Sequence, residues 1–147
     1  TLSKVGFAAM RIGFLIGAPE LVAELDKVRL PYNLNALSQI AAGFFLDQEA
    51  IISEQIDEII SERKSLLEKL SRLEGIEPFP SDANFIFFSC TIDADDVYRQ
   101  ILRRGILVKP FKFPGSGKTY IRVTVGKREE NEAFIEALEN VVVKSGA

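Results

Sequence analysis

Thr1-Leu2-Ser3-Lys4-Val5-Gly6-Phe7-Ala8-Ala9-Met10-Arg11-Ile12-Gly13-Phe14 opens the chain, and its reading decides how the rest is understood. Arg11 follows Lys4 by seven positions, and the hydroxyls of Thr1 and Ser3 stand beside the lysine. A lysine that acts as a nucleophile needs a confined, partly apolar site where its amine can shed a proton. Gly6, Ala8 and Ala9 leave room there for a planar group. Arg11 offers a fork of donors matched to a phosphate dianion, and the two hydroxyls could add shorter neutral bonds to the same oxygens. One ligand touching all four residues would be pyridoxal phosphate. On spacing alone, the same letters also read as a solvated chain end followed by a surface arginine.

The pattern Thr-Leu-Ser-Lys-x-Gly-x-Ala-x-x-Arg-x-Gly resembles the lysine segment of aminotransferases with the aspartate aminotransferase fold, and specifically of histidinol-phosphate aminotransferases. A second match lies downstream. Arg122-Val123-Thr124-Val125-Gly126, preceded by Arg104-Gly105-Ile106-Leu107-Val108-Lys109-Pro110, resembles the C-terminal signature of the same family. Ser81-Asp82-Ala83-Asn84-Phe85 resembles the family's entry into a strand of the small domain, and Tyr32-Asn33 a connector near the substrate. Together the matches run from Thr1 to about Leu138.

Composition narrows the chemistry independently. The chain has 147 residues, 47% hydrophobic and 27% charged, enough for a proper core. Net charge is −3 with Lys and Arg scattered, so no basic stripe for nucleic acid is present. Apolar runs such as Ile40 to Leu46 fall far short of the ~20 residues needed to cross a bilayer, and a cytoplasmic location is expected. Cys90 is the single cysteine and there is no histidine, which removes disulfide frameworks, cysteine zinc sites and Ser-His or Cys-His dyads. No metal site is expected. Lysine and arginine remain as the chemical actors.

Periodicity predicts the elements. Ile12 to Gly17 reads as a short buried strand, and Leu21, Val22, Leu25 and Val28 as a helix from Glu20 to Pro31. Asn33 or Asn35 should cap a helix whose apolar face, Leu37, Ile40, Ala41, Phe44 and Phe45, calls for burial. A long amphipathic helix runs from Gln48 to Leu73, with Gly75 as its stop. Then the pattern changes. Ala83 to Ser89 is a predicted strand, Asp93 caps a helix through Arg104, and Ile106 to Phe111 and Tyr120 to Val125 are further strands. Glu129 and Glu130 open a last helix with Ala133, Phe134, Ala137, Leu138, Val141 and Val142 on its face. Such an order gives a small sheet with helices on one side.

In Tyr120 to Val125, alternation puts Ile121, Val123 and Val125 on one face and Arg122 on the other. That arginine is either solvent-facing or pre-organised to grip a carboxylate or phosphate.

The resemblance implies an α/β and α+β chain. Residues 1–47 would be the end of a large cofactor-binding domain, and residues 48–147 a linking helix with the small C-terminal domain. It implies pyridoxal phosphate held by Thr1, Ser3, Lys4 and Arg11, with Lys4 catalytic and Arg122 binding the substrate's anionic group. Where the family usually carries a second arginine, this chain has Lys109, which keeps the charge but not the two-point grip. The implied reaction exchanges an amino group between histidinol phosphate and 2-oxoglutarate, in a homodimer and together with an N-terminal half of the same enzyme. A related phosphothreonine decarboxylase or aromatic aminotransferase would use the same lysine, and a non-catalytic α+β binding or dimerisation module is the alternative from another class. The start at Thr1, directly on the motif, leads us to expect the C-terminal part of a longer protein.

Overall fold

The computed structural model describes residues 1–113 and 119–145. Two compact units divide the chain, Thr1–Ile56 and Asp57–Ala147, with the boundary inside one long helix.

In the first unit, two short 3-10 turns, Leu2–Val5 and Ala8–Met10, precede helices α1 (Pro19–Asp26) and α2 (Ala36–Leu46). Pro19 starts α1 because its fixed φ suits the first helical position and its missing N–H is not needed there. Asn35 caps α2, its Oδ1 accepting from Ser38 N at 2.8 Å.

Two expectations fail in this unit. Ile12 to Gly17 is irregular rather than a strand, with Ile16 96% exposed. A strand needs a ladder partner for its backbone groups, and among the described residues none pairs with it. The face of α2 is also open: Leu37 is 79%, Ile40 69% and Phe44 62% exposed. Only Leu2, Ile12 and Ala42 form a buried nucleus, with Val5, Phe7 and Met10 partly buried against it. The helix predicted to reach Pro31 ends at Asp26, where turns take over.

The second unit begins within α3 (Glu49–Ser71) and holds a four-stranded antiparallel sheet. Its strands are β1 (Ile76–Pro78), β2 (Phe85–Cys90), β3 (Lys109–Lys112) and β4 (Thr119–Thr124), in the order β1-β2-β4-β3. Helix α4 (Ala94–Leu102) joins β2 to β3, and α5 (Arg128–Ser145) follows β4. Because β2 and β3 both run antiparallel to β4, they run the same way with β4 inserted between them, a split βαβ unit.

Alternation along β2 and β4 explains the layers. Ile86, Phe88, Ile121, Val123 and Val125 face inward and are buried with Leu66 and Leu70 of α3, Val97 and Ile101 of α4, and Phe134 and Leu138 of α5. Each such side chain contributes roughly 1.5–3 kcal/mol of burial, which is why the helices settle on this face. Asp93 caps α4 as predicted, its Oδ1 accepting from Asp95 N at 2.9 Å and Asp96 N at 3.3 Å. Gly105, at φ 80°, ends the following turn in the left-handed region where a side chain would be strained. The predicted strand at Ile106–Phe111 starts later, at Lys109, because Ile106 to Val108 form the crossing from α4. Strand β1 is an addition. It is three residues long and contains Pro78, too short for any period to register.

Candidate functional site

The chemistry-bearing residues fall into two groups, one in each unit.

In the first unit, the turn Leu2–Val5 has three residues per repeat, so Leu2 and Val5 face the small nucleus while Ser3 and Lys4 point elsewhere. Lys4 is exposed on this chain. Thr1 Oγ1 lies 3.2 Å from Ser3 Oγ and donates to Ile12 O at 3.2 Å. Leu2 N donates to the same carbonyl, also at 3.2 Å. These bonds close residues 1–12 into a loop and bring the Thr1 and Ser3 hydroxyls to the chain segment that carries Arg11. Gly6 takes φ 92° to turn the loop, and Arg11 itself sits at φ 57°. For a residue with a β-carbon, that conformation is held only by its surroundings. Here Arg11 N donates to Ala8 O at 3.3 Å and Arg11 Nη1 to the same oxygen at 3.4 Å. Among the described residues the guanidinium has no carboxylate partner. The Ser3 hydroxyl and an arginine not committed to an ion pair are donors suited to a phosphate group, whereas the one Thr1 hydroxyl proton is given to Ile12 O.

In the second unit, Arg122 of β4 stands directly opposite Lys109 of β3 and Phe87 of β2. Its outward direction agrees with the alternation read from the sequence. Two cations facing each other across a ladder are unfavourable unless an anion sits between them, and among the described residues no carboxylate pairs with either. Both line an open cavity of about 500 Å³ with Tyr98, Leu107, Pro110 and Thr124. The Arg122 guanidinium carbon lies 5.2 Å from the Phe85 ring centroid and 5.8 Å from that of Phe111. Tyr98 escaped the sequence reading, because a tyrosine on an amphipathic helix reads as core until the cleft at the start of β3 is seen. Phe85 and Phe111 also read as strand packing. Their tie to Arg122 depends on register, which alternation within one strand does not supply.

The fold thus pairs a lysine turn with an antiparallel sheet presenting two cations. The chain belongs to the aminotransferase class I and II family, whose model matches residues 1–138. It is 41% identical over 143 residues to the histidinol-phosphate aminotransferase of Aquifex aeolicus, covering 97% of this chain and 40% of that protein. To histidinol-phosphate aminotransferase 2 of Nitrosococcus oceani it is 45% identical over 141 residues, covering 95% and 39%. The crystal structure of histidinol-phosphate aminotransferase from Sinorhizobium meliloti in complex with pyridoxal-5'-phosphate superposes with a TM-score of 0.78 at 26% identity, covering all of this chain and 41% of that one. The aspartate aminotransferase-like fold expected from the sequence is therefore present. The chain spans about two fifths of the length of the curated relatives it matches. Among the described residues no cluster of metal-binding side chains occurs, and no helix is long and apolar enough to cross a membrane.

Proposed function

We propose that this chain supplies the lysine segment and the C-terminal domain of a pyridoxal-phosphate-dependent aminotransferase acting on histidinol phosphate and 2-oxoglutarate. One observation carries the reading: Thr-Leu-Ser-Lys and Arg11, embedded in a chain 41–45% identical to two such enzymes, lie in one closed loop rather than on an unstructured end. Residues 1–47 then close the large cofactor-binding domain, and residues 48–147 form the linking helix and the small domain. The remaining protein, an N-terminal half and a second subunit, completes the pocket around Lys4. For that reason the isolated chain should bind cofactor poorly and be inactive.

Pyridoxal phosphate, when bound, would supply an electron sink to the substrate carbon that loses its proton. The chain's own residues do the rest. Arg11, with the Ser3 hydroxyl and with the Thr1 hydroxyl once it turns from Ile12 O, would hold the cofactor's phosphate near Lys4. Lys4 Nζ takes the proton from the amine-bearing carbon of the substrate and later returns one, as general base and then general acid. Arg122 grips the substrate's anionic group, and Lys109 adds a second positive charge without a planar fork. Remote binding at that group sets the orientation in which the proton transfer occurs.

Lys4→Ala in the full-length enzyme should abolish turnover, the acid–base contribution alone being worth about 10²–10⁴-fold. Measurable transamination in that variant would refute the assignment. Rates with histidinol phosphate, phosphothreonine and phenylalanine, measured side by side, assign the substrate: preference for the second or third would move the protein to a sister activity. Borohydride reduction of the full-length protein with labelled cofactor should place the label on Lys4; label absent from the chain would favour a non-catalytic module.

A further inference from the structure

Arg122 extends from a half-covered sheet, is exposed, and has no carboxylate among the described residues to hold it. A long cation so placed would normally sample many rotamers, and each bond to an anion would first have to overcome that freedom. Its neighbourhood is unusual in one respect. Phe85 lies opposite Thr124 on β2, and Phe111 opposite Tyr120 on β3, so the two rings occupy the diagonal positions on either side of Arg122. Diagonal neighbours across antiparallel strands come within reach of long and aromatic side chains. The guanidinium uses both, at 5.2 Å and 5.8 Å from the ring centroids. Both distances fall inside the range where a ring face attracts a cation.

The rings are themselves fixed. Phe111 meets Phe87 edge-on at 5.7 Å, and Phe87 stacks on Tyr120 at 5.3 Å with planes 5° apart. Phe85 opens β2, and its carbonyl is held by Ser81 Oγ, which donates to Phe85 O at 2.6 Å. An aromatic clamp differs from a carboxylate partner in what it leaves behind. A carboxylate would neutralise the guanidinium and occupy its fork, whereas a ring face holds the cation while its in-plane N–H donors remain directed at a ligand. Lys109, directly across from Arg122 at the mouth of the cleft, then adds charge without competing for the same face.

We propose that Phe85 and Phe111 are positioning residues that clamp the Arg122 guanidinium from two sides and so set the affinity of the substrate's anionic group. This inference rests on the proposed role of Arg122, and the experiment separates the two. In the full-length enzyme, Phe85→Leu and Phe111→Leu should each raise KM for histidinol phosphate about two- to fivefold, the worth of one exposed cation–ring contact. The inhibition constant for inorganic phosphate should rise in step. Both variants should leave kcat and the KM for histidinol, which lacks the phosphate, within a factor of about two, because a lost ring contact acts only through the anion. Phe85→Tyr and Phe111→Tyr keep a ring face and should restore wild-type values, an outcome that mere filling of space by leucine does not predict.

Should Arg122→Ala raise KM strongly while both leucine variants bind phosphate as tightly as wild type, the clamp is wrong and the role of Arg122 stands. Should Arg122→Ala leave phosphate inhibition untouched, the underlying assignment falls and the clamp with it. If one leucine variant does not fold, the other and the two tyrosine variants still decide the matter.

Discussion

The two units of this chain obey the same hydrophobic pattern and reach opposite results. Residues 57–145 bury their pattern: Phe88, Ile121, Leu66 and Leu138 are all shielded by helices that the same unit provides. Residues 1–56 carry a more apolar sequence and bury only Leu2, Ile12 and Ala42, leaving Leu37, Ile40 and Phe44 in the open. Amphipathic periodicity therefore states that a face is to be covered and is silent about what covers it. In the sheet-bearing unit the cover is local; in the lysine-bearing unit the described residues of that unit do not supply it.

The largest expected effect tests that contrast directly. Phe88→Ala empties a fully buried site that faces Phe134 at 6.3 Å, and should destabilise the chain by about 3–5 kcal/mol in urea unfolding. Phe44→Ala, of the same chemistry on an open helix face, should change it by less than about 0.5 kcal/mol. Equal losses would break the comparison. Repeating Phe44→Ala in the full-length enzyme sharpens it, since a covered face there should yield a loss nearer to that of Phe88.

What could be read from the letters follows the same line. The caps at Asn35 and Asp93, the stop at Gly105 and the outward direction of Arg122 depend on residues within a few positions of one another, or on a face buried by the unit itself. All four appear as expected. Ile12–Gly17 finds no ladder partner and the α2 face no full cover among the described residues of their own unit, and there the expectation of a buried strand and a buried helix fails. Lys4, Thr1, Ser3 and Arg11 were legible as a spacing, but the bond from the Thr1 hydroxyl to Ile12 O that closes their loop was not. Tyr98, Phe85 and Phe111 join Arg122 only through register and crossover, which are properties of the fold.

A second, smaller effect concerns polar ties. Asn131 is buried; its side chain accepts from Gly126 N at 3.0 Å and donates to Gly126 O at 3.0 Å and to Glu62 Oε2 at 2.9 Å. It thus ties Gly126, just past β4, to Glu62 of α3, which lies 69 positions from Asn131. Asn131→Ala leaves the Gly126 backbone groups without that partner, so a loss of about 1–3 kcal/mol is expected. Amide exchange should quicken at Gly126 and along β4 while residues 1–30 remain unchanged. Faster exchange confined to the first unit would contradict the assigned tie. In the first unit the ion pairs Lys27 with Glu24 and Arg29 with Asp26 are exposed and span only three positions each.

The smallest effect is a titration. Lys112 on β3 donates to Asp95 on α4, and this hydrogen bond, with further attraction from Asp95 and Asp93, raises the lysine above its ordinary value of 10.5 despite slight desolvation. A group whose pKa is raised on folding stabilises the fold fully below its unfolded value and loses that contribution as pH climbs through the folded one. The tie between β3 and α4 should therefore be intact up to about pH 10 and weaken only above the ordinary lysine range. Side-chain NMR should find the Lys112 midpoint above 10.5, and Asp95→Asn should bring it back towards that value. Because the pair is exposed, solvent screens it and the change in overall stability should be slight. A Lys112 midpoint that Asp95→Asn leaves unmoved would show that this carboxylate does not tie the edge strand to α4, and that β3 is held by its ladder to β4 and by packing.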